Sequence, residues 1–152
     1  MRAESTAAAP DRPERVRAAL IDAEGRLVLI RRDRPGRQPY WVLPGGGVEP
    51  SDASPVEALT RELHEELGAE AEIGERMLVI PASARGGEQW VYRAALGTID
   101  PALRSGPEFA DPSRGRYTVQ RIDRRDLHAV NLLPEEARRR LIDDISEKPC
   151  PS

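Results

Sequence analysis

From Arg15 onward, apolar and polar positions alternate in a way that sorts the chain into elements. RVRAALID (15–22) and RLVLIRR (26–32) are β-prone runs parted by Ala23-Glu24-Gly25, which predicts a hairpin. An arginine-rich loop, DRPGRQP, leads to a short apolar strand, YWVLP, and then to the glycine run Gly45-Gly46-Gly47, read as a loop. AEIGERMLVIPA (71–82), QWVYRAALG (89–97) and RYTVQRI (116–122) read as further strands, and a loop rich in Gly, Pro and Asp spans 101–115. A last amphipathic helix is expected from Leu133 to Ile145, opened by Pro134-Glu135-Glu136. Residues 1–14 are small, charged and broken by proline, which predicts a flexible N-terminal arm, with one domain over 15–147 and a tail at 148–152. Hairpins with two interspersed helices predict an α/β fold, a mixed sheet with helices on its faces.

The clearest helix lies in the middle of the chain. Ser54 is a good N-cap, Pro55 suits the first helical position, Glu57 completes a capping box, and Gly68 supplies the stop. Val56, Leu59, Leu63 and Leu67 recur at helical spacing and predict a buried stripe. At about 100° per residue, Glu62, Glu65 and Glu66 project within one narrow arc at the rim of that stripe. Like charges this close raise one another's pKa unless something positive neutralises them. Either the arc is a solvated face, or it is a site for a hard divalent cation, which takes oxygen ligands. The glycine run ahead of the helix favours the second reading, because glycines let backbone approach a metal or phosphate.

Composition narrows the chemistry. With 152 residues the chain suits a single domain, and no apolar run approaches the ~20 residues of a membrane helix. Cys150 is the one cysteine, so neither an internal disulfide nor a thiolate metal cluster is available, which suits a reducing, cytoplasmic setting. A net charge of −3 argues against stable nucleic-acid binding. Lys148 is the only lysine, which excludes a Walker-type phosphate loop. His64 and His128 read as surface residues, and no G-x-S-x-G elbow occurs.

In the capped helix, Arg61, Glu62, Leu63, Glu65, Glu66, Gly68 and Ala69 resemble the second half of the Nudix signature, G-x5-E-x7-R-E-U-x-E-E-x-G-U with U aliphatic. LVLIRRDRPGRQPYWVLPGGGVEP resembles the strand, loop and glycine turn that precede it, and the likeness extends over most of 15–145. Its first half departs from the pattern. Counting back from Arg61 puts Ala53 in the first glutamate's place with Gly47 as its glycine. One extra loop residue puts Asp52 there with Gly46, which keeps a carboxylate and leaves the cap intact, and is the expected register.

The resemblance implies a Nudix α/β/α sandwich and a metal-dependent hydrolase that splits the pyrophosphate bond of a nucleoside diphosphate linked to X. It further implies Mg²⁺ or Mn²⁺ on Glu62, Glu65 and Glu66 with the Gly46 carbonyl. Arg61 would orient a carboxylate, and Glu62 or Glu108 would serve as base, Glu108 arriving from the loop before the 116–122 strand. Arg31, Arg32, Arg34 and Arg37 are either a soluble edge or a diphosphate clamp. Trp90 and Tyr92, two apart on a strand, either pack in the core or stack on a base. The expected partner is a small nucleotide, with a homodimer the default assembly. A nucleotide-binding or regulatory module of the same fold without turnover is the alternative; loss of a helix glutamate would favour it, and all three are present.

Overall fold

Strand alternation between Arg15 and Asp33 sets the layers of this protein, seen in a computed structural model that describes residues 12–84, 86–103 and 115–147, with backbone alone for 145–147. The elements are β1 (Arg15–Ile21), β2 (Arg26–Asp33), β3 (Tyr40–Val42), β4 (Gly45–Gly47), α1 (Pro55–Leu67), β5 (Ala69–Ile80), β6 (Gln89–Ile99), β7 (Arg116–Asp123), β8 (Leu132–Leu133) and α2 (Glu135–Glu147). Short 3-10 turns cover Pro101–Leu103 and Arg124–Ala129. One mixed sheet runs β5-β6-β1-β2-β3-β8, with β4 added to β1 and β7 to β2. The β1–β6 and β3–β8 pairs are parallel and the others antiparallel.

Because side chains alternate across a strand, the two faces collect different cores. Val16, Ala18, Leu20, Val28 and Ile30 pack with Ala58, Leu59, Leu63 and Leu67 of α1. Ala19, Leu27 and Leu29 pack on the opposite face with Leu127, Leu132, Ala137 and Leu141, beneath α2. Each fully buried leucine contributes about 1.5–3 kcal/mol, so both helices are held by the sheet rather than by helix propensity. The α/β/α sandwich is thus formed. Within α1, Val56 departs from the expected stripe and is 40% exposed, while Ala58 is buried instead.

Helix α1 is punctuated as its sequence predicts. Ser54 Oγ accepts from Glu57 N at 3.1 Å, and Glu57 Oε1 accepts from Ala53 N at 3.1 Å. Gly68 ends the helix at φ 65°, its N–H donated to His64 O at 2.8 Å, and β5 starts on the next residue. A Cβ at Gly68 would lie 1.8 Å from Asp100 O, so only glycine fits.

Two differences from expectation matter for the site. Gly45–Gly47 is a strand rather than a loop: Arg15, Val16 and Arg17 pair with Gly47, Gly46 and Gly45. Backbones meet so closely there that a Cβ at Gly45 would be 2.0 Å from Val16 O. The second difference is at the C-terminal end, where Leu132–Leu133 joins β3 as β8, and α2 therefore opens at Glu135. Of the expected arm, residues 12–14 are described and attached: Glu14 N donates to Glu88 O at 2.8 Å, and Val48 N donates to Glu14 O at 3.0 Å. Among the described residues, no helix is long and apolar enough to cross a membrane.

Candidate active site

Three glutamates step from solvent toward the core along α1. The Glu65 side chain is 34% exposed and Glu62 17%, while Glu66 belongs to the buried stripe. Strand β4 lies directly against them. Glu66 Oε1 accepts the Gly45 N–H at 2.9 Å, and a Cβ at Gly46 would meet the Glu62 carboxylate at 2.4 Å. The missing side chain at Gly46 is therefore what leaves room for Glu62.

Arg61 ties the acidic groups together. Its Nε and Nη2 donate to the two oxygens of Asp52, at 3.0 and 2.9 Å, a bidentate pair. Nη2 also reaches Gly47 O at 3.0 Å, and Nη1 reaches Glu62 Oε2 at 3.2 Å and Glu65 Oε1 at 3.3 Å. The Asp52 hydrogen bonds hold Arg61's pKa above its usual value despite burial. Asp52 is buried, and the same pair holds its carboxyl below the ordinary carboxylate range. It is thus the carboxylate of Asp52 that meets Arg61, whereas exposed Ala53 contributes a backbone N–H to the cap.

Across β4 from the glutamates, basic groups complete a cleft of roughly 740 Å³. Arg15, Arg17, Arg32 and Arg34 line it together with Gly45, Gly46, Gly47, Glu62, Glu65 and Glu66. Arg17 donates to Leu43 O at 3.2 Å. Burial lowers its pKa, and the charges of Glu66 and Glu62 pull against that. The Arg32 guanidinium sits 3.7 Å from the Tyr117 ring centroid and 5.9 Å from that of Tyr40, and both tyrosines line the cleft. Cationic and anionic groups lining one cleft suit a ligand that carries phosphates beside a cation.

Of the arginines singled out in the sequence, Arg32 and Arg34 line this cleft, and Arg31 does not. Arg31 is one residue out of phase: it pairs with Asp33 at 3.1 Å and lies over Trp41. Arg37 lies over Tyr40, 4.7 Å from the ring centroid. Trp90 and Tyr92 do share a face, but it is the α1-side core, and neither lines the cleft. Strand register explains this, since they sit beside Val16 and Ala18, which face α1. Glu108 lies outside the described residues. Arg15 and Arg17 were missed in the sequence. Their signal was two arginines alternating with Val16 and Ala18, but only the pairing of β1 with β4 carries them to the glutamates.

Among the described residues, no three His, Cys, Asp or Glu side chains stand in metal-holding geometry. Arg61 is a counter-charge to Glu62 and Glu65, and Arg17 lies in the field of Glu66 and Glu62. Even so, their donor set is wholly oxygen, carboxylates beside the Gly46 backbone, and its chemistry fits a hard divalent cation.

Comparison with known proteins places the chain in a family. The profile of the NUDIX domain matches residues 11–139. A CTP pyrophosphohydrolase of Escherichia coli is 48% identical over 59 residues, 38% of this chain and 43% of that protein. An RNA pyrophosphohydrolase of Gluconacetobacter diazotrophicus is 41% identical over 70 residues, 41% of each. The chain therefore aligns with about two fifths of the length of each curated relative. Among solved structures, a NUDIX hydrolase from Nitrosomonas europaea superposes with TM-score 0.68 at 16% identity, covering 92% of this chain and 93% of that one. A MutT NUDIX hydrolase from Burkholderia pseudomallei gives TM-score 0.57 at 27% identity, covering 84% and 94%. With the domain matched over residues 11–139 and the capped glutamate helix in place, this chain belongs to the NUDIX domain family.

Proposed function

We propose that the protein hydrolyses the pyrophosphate bond of a nucleoside diphosphate derivative, NDP-X, to a nucleoside monophosphate and P-X. The observation that carries this is a cleft that Glu62, Glu65 and Glu66 line together with Arg15, Arg17, Arg32 and Arg34. Phosphoryl transfer asks a protein for positioning and charge neutralisation more than for covalent chemistry. The relatives' names, CTP and RNA pyrophosphohydrolase, point to the same bond.

In this reading the arginines hold the phosphate oxygens, matching them bidentately. Glu62, Glu65, Glu66 and the Gly46 carbonyl would hold Mg²⁺ or Mn²⁺, which when bound neutralises phosphate charge and lowers the pKa of water. Arg61, itself clamped by Asp52, fixes the Glu62 and Glu65 carboxylates. Water attacks phosphorus in line with the bridging oxygen, which leaves with the P-X half. The proton lost by that water passes to Glu62 or Glu108.

Nucleoside triphosphates, sugar nucleotides and dinucleotides, each offered with Mg²⁺ and with Mn²⁺ and resolved by chromatography, test this. Release of a nucleoside monophosphate with P-X is expected. Absence of turnover across the panel overturns it, and nucleotide binding without turnover, read by calorimetry, would establish the binding-module alternative.

A further inference from the structure

Arg12 lies ahead of the first strand and outside the residues that line the cleft, yet it reaches the turn on which the acidic cluster depends. Its Nη1 donates to Glu49 O at 3.2 Å, and its Nη2 donates to Asp52 O at 2.6 Å. Those two carbonyls belong to one tight turn. Asp52 N donates to Glu49 O at 3.0 Å, and Glu49 N donates back to Asp52 Oδ2 at 2.7 Å. The same Asp52 carboxylate accepts both Arg61 bonds.

We infer that Arg12 is a positioning residue: by gripping both carbonyls of the 49–52 turn it fixes the Asp52 carboxylate, and through it the Arg61 guanidinium that aligns Glu62 and Glu65. The path is contiguous, with a hydrogen bond at every step. Its physical basis is the planar guanidinium, which presents its donors to two acceptors in a rigid fork, where an ammonium is a single compact point of charge on a flexible stem. Glu14 adds a second attachment from the same segment. Its carbonyl accepts from Val48 N at 3.0 Å and its carboxylate accepts from Gly87 N at 2.9 Å, so the strap is tied both to the residue after β4 and to the segment before β6. Pro50 and Ser51 of this turn are exposed, so its restraints are Arg61, which holds the Asp52 carboxylate and reaches Glu49 Oε2 at 3.6 Å from the helix side, and the strap, which holds its backbone carbonyls.

The effect on turnover rests on the proposed hydrolysis, whereas the effect on Arg61 does not, and the test separates them. In Arg12→Gln, the Arg61 Nε–H should exchange with solvent about tenfold faster or more, read by ¹⁵N NMR, since its acceptor is no longer fixed. Arg12→Lys should fall between that variant and wild type. With a substrate in hand, kcat should drop about tenfold while KM stays close to wild type, because Arg12 does not touch the cleft. In an Asp52→Ala background, Arg12→Gln should cost nothing further. Unchanged Arg61 exchange in a folded Arg12→Gln protein overturns the inference, as does an undiminished kcat loss in the Asp52→Ala background. If the wild type turns over no substrate, the hydrolase reading fails and the exchange measurement still decides this one.

Discussion

Gly46 gives the sharpest separation of folding from function. Its φ is not in the left-handed region, so alanine meets no backbone strain there. The added Cβ would instead arrive 2.4 Å from the Glu62 carboxylate, where ordinary contact begins at 3.4 Å, so that carboxylate must retreat by about 1 Å. A carboxylate is the mobile end of a flexible side chain and can move without unfolding anything. The entropy lost by the unfolded chain favours alanine by about 0.4–1 kcal/mol, so Gly46→Ala should stay within about 1 kcal/mol of wild type. A 1 Å misplacement at the reacting centre is worth roughly 100-fold, about 2.7 kcal/mol of transition-state stabilisation. Urea denaturation and kcat/KM, measured on the same preparation, read the two effects separately. The neighbours are the controls. At Gly45, φ is 145° and the Cβ would lie 2.0 Å from Val16 O, so Gly45→Ala should cost about 3 kcal/mol of stability or more. At Gly47 nothing lies nearer than Glu14 O at 4.0 Å, and alanine should be nearly silent. Wild-type turnover in Gly46→Ala, or equal losses at all three glycines, would refute the reasoning.

Exhaustive EDTA treatment should abolish activity and Mg²⁺ or Mn²⁺ restore it, while Glu66→Gln, which keeps an oxygen for the Gly45 N–H, should lose turnover by orders of magnitude with its melting temperature preserved. Asp52→Ala should lower both activity and stability, and adding Ala53→Glu to it should restore neither, because position 53 is exposed and Arg61 is met from position 52; recovery would reverse the register. Glu62→Gln and Glu108→Gln compared in one assay test the base: a near-wild-type rate for Glu108→Gln beside a collapsed rate for Glu62→Gln removes Glu108 from that role, and the converse assigns it to Glu108. Away from the site, burial works to raise the pKa of Asp22, but the backbone N–H of Arg26, the Arg121 guanidinium and the other donors around it outweigh that and lower it. A depressed folded pKa contributes stability that is complete above the unfolded value of about 4 and is lost as pH falls through the folded value. Asp22→Asn should therefore cost about 2 kcal/mol in urea melts at pH 7 and progressively less in acid; a pH-independent cost would contradict the assignment.

What the chain determines by itself is local. Ser54, Pro55, Glu57 and Gly68 set the ends of α1 because caps act within a turn of backbone, and 3.6-residue periodicity places Glu62, Glu65 and Glu66 on one arc whatever surrounds the helix. Period-two alternation likewise separates Val28 and Ile30 from Leu27 and Leu29 before any partner is known. Which strands become neighbours is not local. Gly45-Gly46-Gly47 reads as a loop because glycine has low strand propensity, and it pairs as β4 because side-chain-free backbone at Gly45 fits against Val16. The same pairing delivers Arg15 and Arg17 to the glutamates. Register against β1 sends Trp90 and Tyr92 into the α1-side core, and the pleat of β2 turns Arg32 to the cleft and Arg31 away. Arg61 finds the Asp52 carboxylate nine residues back and Arg12 finds backbone carbonyls of the same turn 40 residues on, contacts that form only when the fold brings three segments together.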